Sequence, residues 1–223
     1  MKKIYLIRHG ESEGNVKLEW QGEDSSLTEK GQQQAQLAGA RLASASVGAI
    51  VSSTMQRAKE TADIIAGYTA TANGVEYSDL LIECRKPAEQ IGRSRGDPAS
   101  IETEAQIRAR FGEAGWHYSD EENFAELKAR GMAVLAYLAS RPEDIVTVVT
   151  HGYFMRVVLA CATYGEALTP DSCLHFMTTF RTANTGMTVL MYDENEVGNP
   201  WILWTWNDQS HLEGRNDPRS LAF

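Results

Sequence analysis

Two distant stretches of this chain each run from a short apolar segment straight into a His-Gly pair: Ile4-Tyr5-Leu6-Ile7-Arg8-His9-Gly10 and Ile145-Val146-Thr147-Val148-Val149-Thr150-His151-Gly152. The second is nearly continuous in β-branched residues, as expected of a strand covered on both faces in a parallel sheet. A third such run, 47–52, leads into Ser53-Thr54-Met55-Gln56-Arg57. Helical periodicities lie between and beyond them, at 28–43, 53–67, 121–140 and 153–162. Ser53 with Gln56 three residues on predicts a capping box at the start of the second. After Pro170 the pattern reads as strands at 174–181, 188–192 and 201–206, separated by turns rich in Asn, Gly and Asp. The alternation predicts an α/β fold, a three-layer α/β/α sandwich around a mostly parallel sheet, as a single domain over 1–223.

Residues 84–120 break the alternation. Pro87, Gly92, Gly96 and Pro98 interrupt short helical patterns before a helix at 101–111, which predicts an inserted helical lid. Its first part carries Arg85, Lys86, Arg93 and Arg95 against Glu89, in a chain whose formal net charge is −9. Such a cluster is either a solvated loop or a receptor for part of an anionic substrate. The acidic balance argues against a nucleic-acid partner. No apolar run reaches the roughly 20 residues that cross a bilayer, so no membrane partner is expected. Cys84, Cys161 and Cys173 are an odd, widely spaced set without a Cys-x-x-Cys pair, which fits a reducing cytoplasm.

In open α/β sheets, ligands bind beyond the carboxyl ends of the strands, where Arg8-His9-Gly10, Ser53 to Arg57 and His151-Gly152 all fall. Gly10 and Gly152 let a substrate or an opposing backbone approach closely. Arg57 sits in the first turn of a helix, where a cation is disfavoured. Either a nearby carboxylate or a bound phosphate, gripped by arginine's planar fork, compensates it, and Arg8 beside His9 favours phosphate. A histidine nucleophile attacks phosphorus through one ring nitrogen while the other keeps its proton, typically on a backbone carbonyl. Arg8, Arg57 and His151 then spread the charge of a metaphosphate-like transition state. Glu83, after the apolar Leu80-Leu81-Ile82, is the candidate acid that protonates the leaving oxygen and later activates water. A surface or salt-bridged glutamate fits the same residues.

These residues form a recognisable set. Arg8-His9-Gly10-Glu11-Ser12-Glu13-Gly14-Asn15 resembles the signature of the histidine phosphatase superfamily, the phosphoglycerate mutase-like group. Leu27 to Gln32, Ser52 to Ala62 and Val149 to Gly152 resemble its later blocks in the same order, and Asn184-Thr185-Gly186 its late strand. The resemblance implies that His9 is phosphorylated, that Arg8, Arg57 and His151 bind phosphate, and that Glu83 is the acid/base. It also implies that Asn15 and Gln21 line the phosphate pocket and that neither metal nor organic cofactor takes part. An Arg-Arg-Ser-Tyr-like segment, typical of true mutases, has no counterpart after Glu83, so phosphatase outranks mutase. A noncatalytic phospho-ligand-binding relative and a metal hydrolase using His9, His151, His211 and Glu83 are the other rivals. The expectation is a monomer or homodimer hydrolysing a small phosphomonoester.

Overall fold

The computed structural model describes residues 1–71 and 74–212; the end of the expected single domain, 213–223, lies outside the described residues. One sheet is formed by β1 (Lys2–Arg8), β2 (Ala49–Ser53), β3 (Val75–Ser78), β4 (Ile145–Thr150), β5 (Met187–Tyr192) and β6 (Trp201–Asp208). Their order across the sheet is β3-β2-β4-β1-β5-β6. The first four positions are parallel, and β5 and β6 continue the sheet antiparallel. The helices are α1 (Glu13–Lys17), α2 (Glu29–Leu42), α3 (Gln56–Ala66), α4 (Pro98–Ala109), α5 (Phe124–Ser140), α6 (Gly152–Tyr164) and α7 (Pro170–Thr179).

Strand alternation divides the interior in two. Ile4, Leu6, Val51, Val146 and Val148 point to the face covered by Leu135 and Leu138 of α5, Phe154 and Val158 of α6, and Phe176 of α7. Ile7, Ile50 and Val149 point to the other, against Ala38 and Leu42 of α2 and Ala58, Ala62 and Ile65 of α3. Each large aliphatic side chain so buried contributes about 1.5–3 kcal/mol. The layers are therefore helices, sheet, helices, as the sequence predicts.

Three local expectations are corrected. The segment 174–181, expected as a strand, lies in α7 up to Thr179: Thr169 and Ser172 form a capping box, Pro170 occupies the first turn, and Cys173 and Phe176 turn one apolar stripe inward. Ser53 is not a helix cap but the last residue of β2, and α3 starts after Met55. β3 and α1 fall where no element was expected. Within 84–120, α4 and a short 3₁₀ turn at Ala88–Gln90 are joined by irregular backbone.

Candidate active site

β1 and β4 lie side by side in register, Arg8 opposite Thr150, so the two histidines that follow them emerge together. His9 N–H donates to the Thr150 carbonyl at 2.9 Å, and the rings of His9 and His151 have centroids 5.1 Å apart. Nδ1 of His9 lies 2.7 Å from its neighbour's carbonyl, Gly10 O. That contact requires the proton on Nδ1 and leaves a lone pair on Nε2, the tautomer a nitrogen nucleophile needs. Nε2 in turn accepts from Nε–H of Arg57 at 3.3 Å. Burial, then Arg57, then Arg8 hold the His9 pKa well below its usual value, so the ring is neutral. Its backbone is pinned as well, the His9 carbonyl accepting from Asn184 Nδ2 and Gly10 N–H donating to Thr61 Oγ1.

The arginines arrive from two different elements. Arg8 ends β1 and donates Nη1 to the Thr182 carbonyl at 2.6 Å; Arg57, in the first turn of α3, donates Nη1 to the Gly22 carbonyl at 2.8 Å. Burial pushes each guanidinium down to about 10, still charged at neutral pH. Neither makes an ion pair among the described residues within 4 Å, and Nε of Arg8 is buried without a hydrogen-bond partner. His151 is fully buried beside His9: its Nε2 meets Ser53 Oγ at 2.8 Å, and its Nδ1 has no hydrogen-bond partner among the described residues. Burial and then Arg57 lower its pKa well below 6.5.

Glu83 lies on the wall of a cavity of about 270 Å³ that Arg8, His9 and Arg57 also line. Its Oε1 accepts from Phe154 N–H at 2.8 Å and Cys84 N–H at 2.9 Å, and its Oε2 from Tyr153 N–H at 3.2 Å. Tyr153 and Phe154 are in the first turn of α6, whose N-cap, His151, makes no side-chain cap. Glu83 thus closes that helix from outside, satisfying amides that would otherwise be orphaned. Arg130 fixes the preceding backbone by donating to the Leu80 and Ile82 carbonyls.

Asn15 and Gln21 reach the same cavity. Asn15 Oδ1 accepts from Asn184 Nδ2, and Gln21 Oε1 from Ser12 Oγ, which commits the oxygens of both amides and leaves their NH₂ groups as donors. Arg85, Lys86 and Arg95 line the outer wall, whereas Arg93 is exposed and contributes its carbonyl to Trp20 N–H. His211 is elsewhere, against Thr185 Oγ1 and Arg41, where burial lowers its pKa to about 4. Ser53, Thr61, Thr182 and Asn184 are the positioning groups that sequence reasoning missed. Only Asn184 left a signal, as the start of a late strand.

A basic pocket that presents the unprotonated nitrogen of a neutral histidine beside two arginines, at the carboxyl edge of a three-layer α/β sheet, defines an enzyme of phosphomonoester chemistry. The model of the histidine phosphatase superfamily (branch 1) matches residues 4–209, and the chain belongs to that superfamily. Among curated relatives, a probable phosphoglycerate mutase GpmB of Salmonella arizonae is 29% identical over 221 residues, covering 96% of each chain. Among solved structures, Bacillus stearothermophilus YhfR superposes with a TM-score of 0.78 at 26% identity, over 96% of this chain and 100% of that one. Entamoeba histolytica phosphoserine phosphatase, in complex with 3-phosphoglyceric acid, superposes with a TM-score of 0.74 at 25% identity, over 95% and 100%.

Proposed function

We propose that this protein hydrolyses a small phosphomonoester through a phosphohistidine on His9. The observation that carries the reading is the unprotonated Nε2 of His9, its tautomer fixed by Gly10 O, facing the guanidinium of Arg57 from which it accepts a long hydrogen bond. In the first step Nε2 bonds to phosphorus, the bond to the leaving oxygen breaks, and Glu83 gives that oxygen its proton. Arg8, Arg57 and His151 stabilise the phosphoryl oxygens, with the amides of Asn15 and Gln21 as further donors. In the second step Glu83 takes a proton from water, the water oxygen bonds to phosphorus, and the P–N bond breaks to release phosphate and restore His9. No metal is needed, because two buried cations already supply the charge.

The mutase named among the relatives would use the same groups and pass the phosphoryl group to a second hydroxyl. Hydrolysis is favoured by the phosphatase among the structural relatives and by the sequence's lack of the mutase segment after Glu83. No helix of the described residues is long and apolar enough to cross a membrane. Cys84, Cys161 and Cys173 are buried free thiols, which supports a reducing cytoplasm, with a monomer or homodimer sufficient for the site. The test scores purified protein for phosphate release from phosphomonoesters and for isomerisation of 3-phosphoglycerate. His9→Ala is expected to abolish phosphate release while keeping the thermal transition, and Arg57→Ala to weaken vanadate inhibition by about tenfold or more. Wild-type turnover in the His9 variant, or isomerisation outrunning hydrolysis, overturns the proposal.

A further inference from the structure

The turn before β5 grips the backbone of the catalytic loop and is itself gripped by the segment that follows β6. Asn184 Nδ2 donates to the His9 carbonyl at 2.9 Å, and Thr185 N–H donates to the Arg8 carbonyl at 2.9 Å. Adjacent residues of one turn thus hold both residues that end β1 at the phosphate site. Thr185 is fully buried and has a φ of +54°. That left-handed conformation is an outlier for a β-branched side chain and persists only where the surroundings over-determine it. A glycine would adopt it without steric cost.

The segment after β6 supplies that restraint. Asn207, itself at a φ of +46°, accepts from Ala183 N–H through Oδ1 at 2.8 Å, and a Cβ on Gly186 would stand 2.1 Å from the same oxygen. The chain then makes a one-turn 3₁₀ helix, Ser210–Leu212, packed on α2 with Leu212 buried. Arg41 of α2 pairs with Asp208 and donates to Ser210 Oγ at 2.8 Å. Its Nη1 also lies 3.4 Å from Nδ1 of His211. A guanidinium can only donate, so Nδ1 accepts and the ring proton sits on Nε2, which donates to Thr185 Oγ1 at 3.2 Å. Burial and then Arg41 lower the His211 pKa to about 4, so the ring is neutral and keeps this arrangement at neutral pH.

We propose that His211 is a positioning residue for phosphoryl transfer: through Thr185 it holds the left-handed turn that fixes the Arg8 and His9 carbonyls, and Arg41 selects the tautomer with which it does so. The catalytic consequence rests on the phosphatase reading, but the hold on the turn is measurable without turnover. Arg57 is anchored separately, on the Gly22 carbonyl. Loss of His211 therefore misplaces Nε2 of His9 more than it weakens the grip on phosphate.

Three variants test this. His211→Leu removes the donor, His211→Gln keeps an N–H donor of similar reach, and Thr185→Gly added to His211→Leu frees the turn of its steric cost. Each is assayed with one aryl phosphate below its own thermal transition. His211→Leu is expected to lose about tenfold or more in kcat, while the inhibition constant of inorganic phosphate moves by less than about threefold. His211→Gln and the added Thr185→Gly should each recover most of that kcat, which a general loosening of the fold would not allow. In amide hydrogen exchange, Thr185 should open about tenfold faster or more in His211→Leu than in wild type, with Val148 in the middle of the sheet unchanged. Wild-type kcat in His211→Leu, or a loss that Thr185→Gly fails to recover, overturns the positioning role and leaves the phosphatase standing. Faster exchange at Thr185 in His211→Leu, with no hydrolysis by wild type, overturns the phosphatase and leaves the hold on the turn standing.

Discussion

Glu83 performs two jobs with one carboxylate, and the two can be separated by experiment. Its oxygens receive amides of Cys84, Tyr153 and Phe154, so it closes α6, and it faces the cavity beside His9. Glu83→Gln keeps a carbonyl oxygen for the helix but removes the transferable proton. We expect turnover of an alkyl phosphate to fall roughly 10²–10⁴-fold. An aryl phosphate with a nitrophenolate leaving group, which needs no protonation, should lose much less in its first step. The helix-capping loss should stay near 1 kcal/mol in a urea melt. Equal losses for both leaving groups would remove Glu83 from the acid role. Sequence pattern placed this residue at the presumed edge of the site after Leu80-Leu81-Ile82, but not its bond to α6, because a cap supplied from a distant segment leaves no local trace.

At the scale of elements, the catalytic loop after β1 is clamped by a glycine pair. A Cβ on Gly31, in the first turn of α2, would stand 2.0 Å from the carbonyl oxygen of Glu11, and one on Gly10 would stand 2.5 Å from the carbonyl of Gly31. Helix propensity favours Gly31→Ala by about 1 kcal/mol. The clash is with backbone that cannot rotate away, and overpacking of this kind costs about 1–3 kcal/mol or more, so the clash wins. Expected are a lower urea midpoint and a fall in kcat, because the displaced loop carries Gly10 and with it His9. A stabilised variant with unchanged kcat would show that the two elements can separate freely. The short apolar run of β1 and the β-branched run of β4 were legible in the sequence, as was α2 from the helical periodicity over 28–43. α7 was not, since Thr178, Thr179 and Phe180 carry β propensity while packing of Cys173 and Phe176 decides for helix. Ser53 reads from the sequence as a helix cap, because its partner, His151, follows another strand and leaves no local trace.

For the whole molecule, gathering neutral imidazoles and charged guanidinium groups in one buried pocket sets how global stability responds to acid. His9 and His151 keep folded pKa values well below 6.5, chiefly through burial and Arg57, while the unfolded chain titrates them normally. Below pH 6.5 the unfolded state therefore binds protons that the folded state refuses, and unfolding is favoured as pH falls; above 6.5 both states are neutral and the effect vanishes. Each histidine contributes up to ~1.4 kcal/mol per pH unit in that window. His211, lowered to about 4, acts in the same direction over its own range. Asp208 is also lowered, by Arg41, but a depressed carboxylate loses its contribution only at more acidic pH, near and below its unfolded value of about 4. Urea melts between pH 7 and 5 in phosphate-free buffer should show stability declining below 6.5. In His9→Asn the slope should be shallower by about one proton, ~1.4 kcal/mol per pH unit. Identical slopes in the two proteins would mean that His9 accepts a proton in the folded state, and an imidazolium there has no lone pair with which to attack phosphorus.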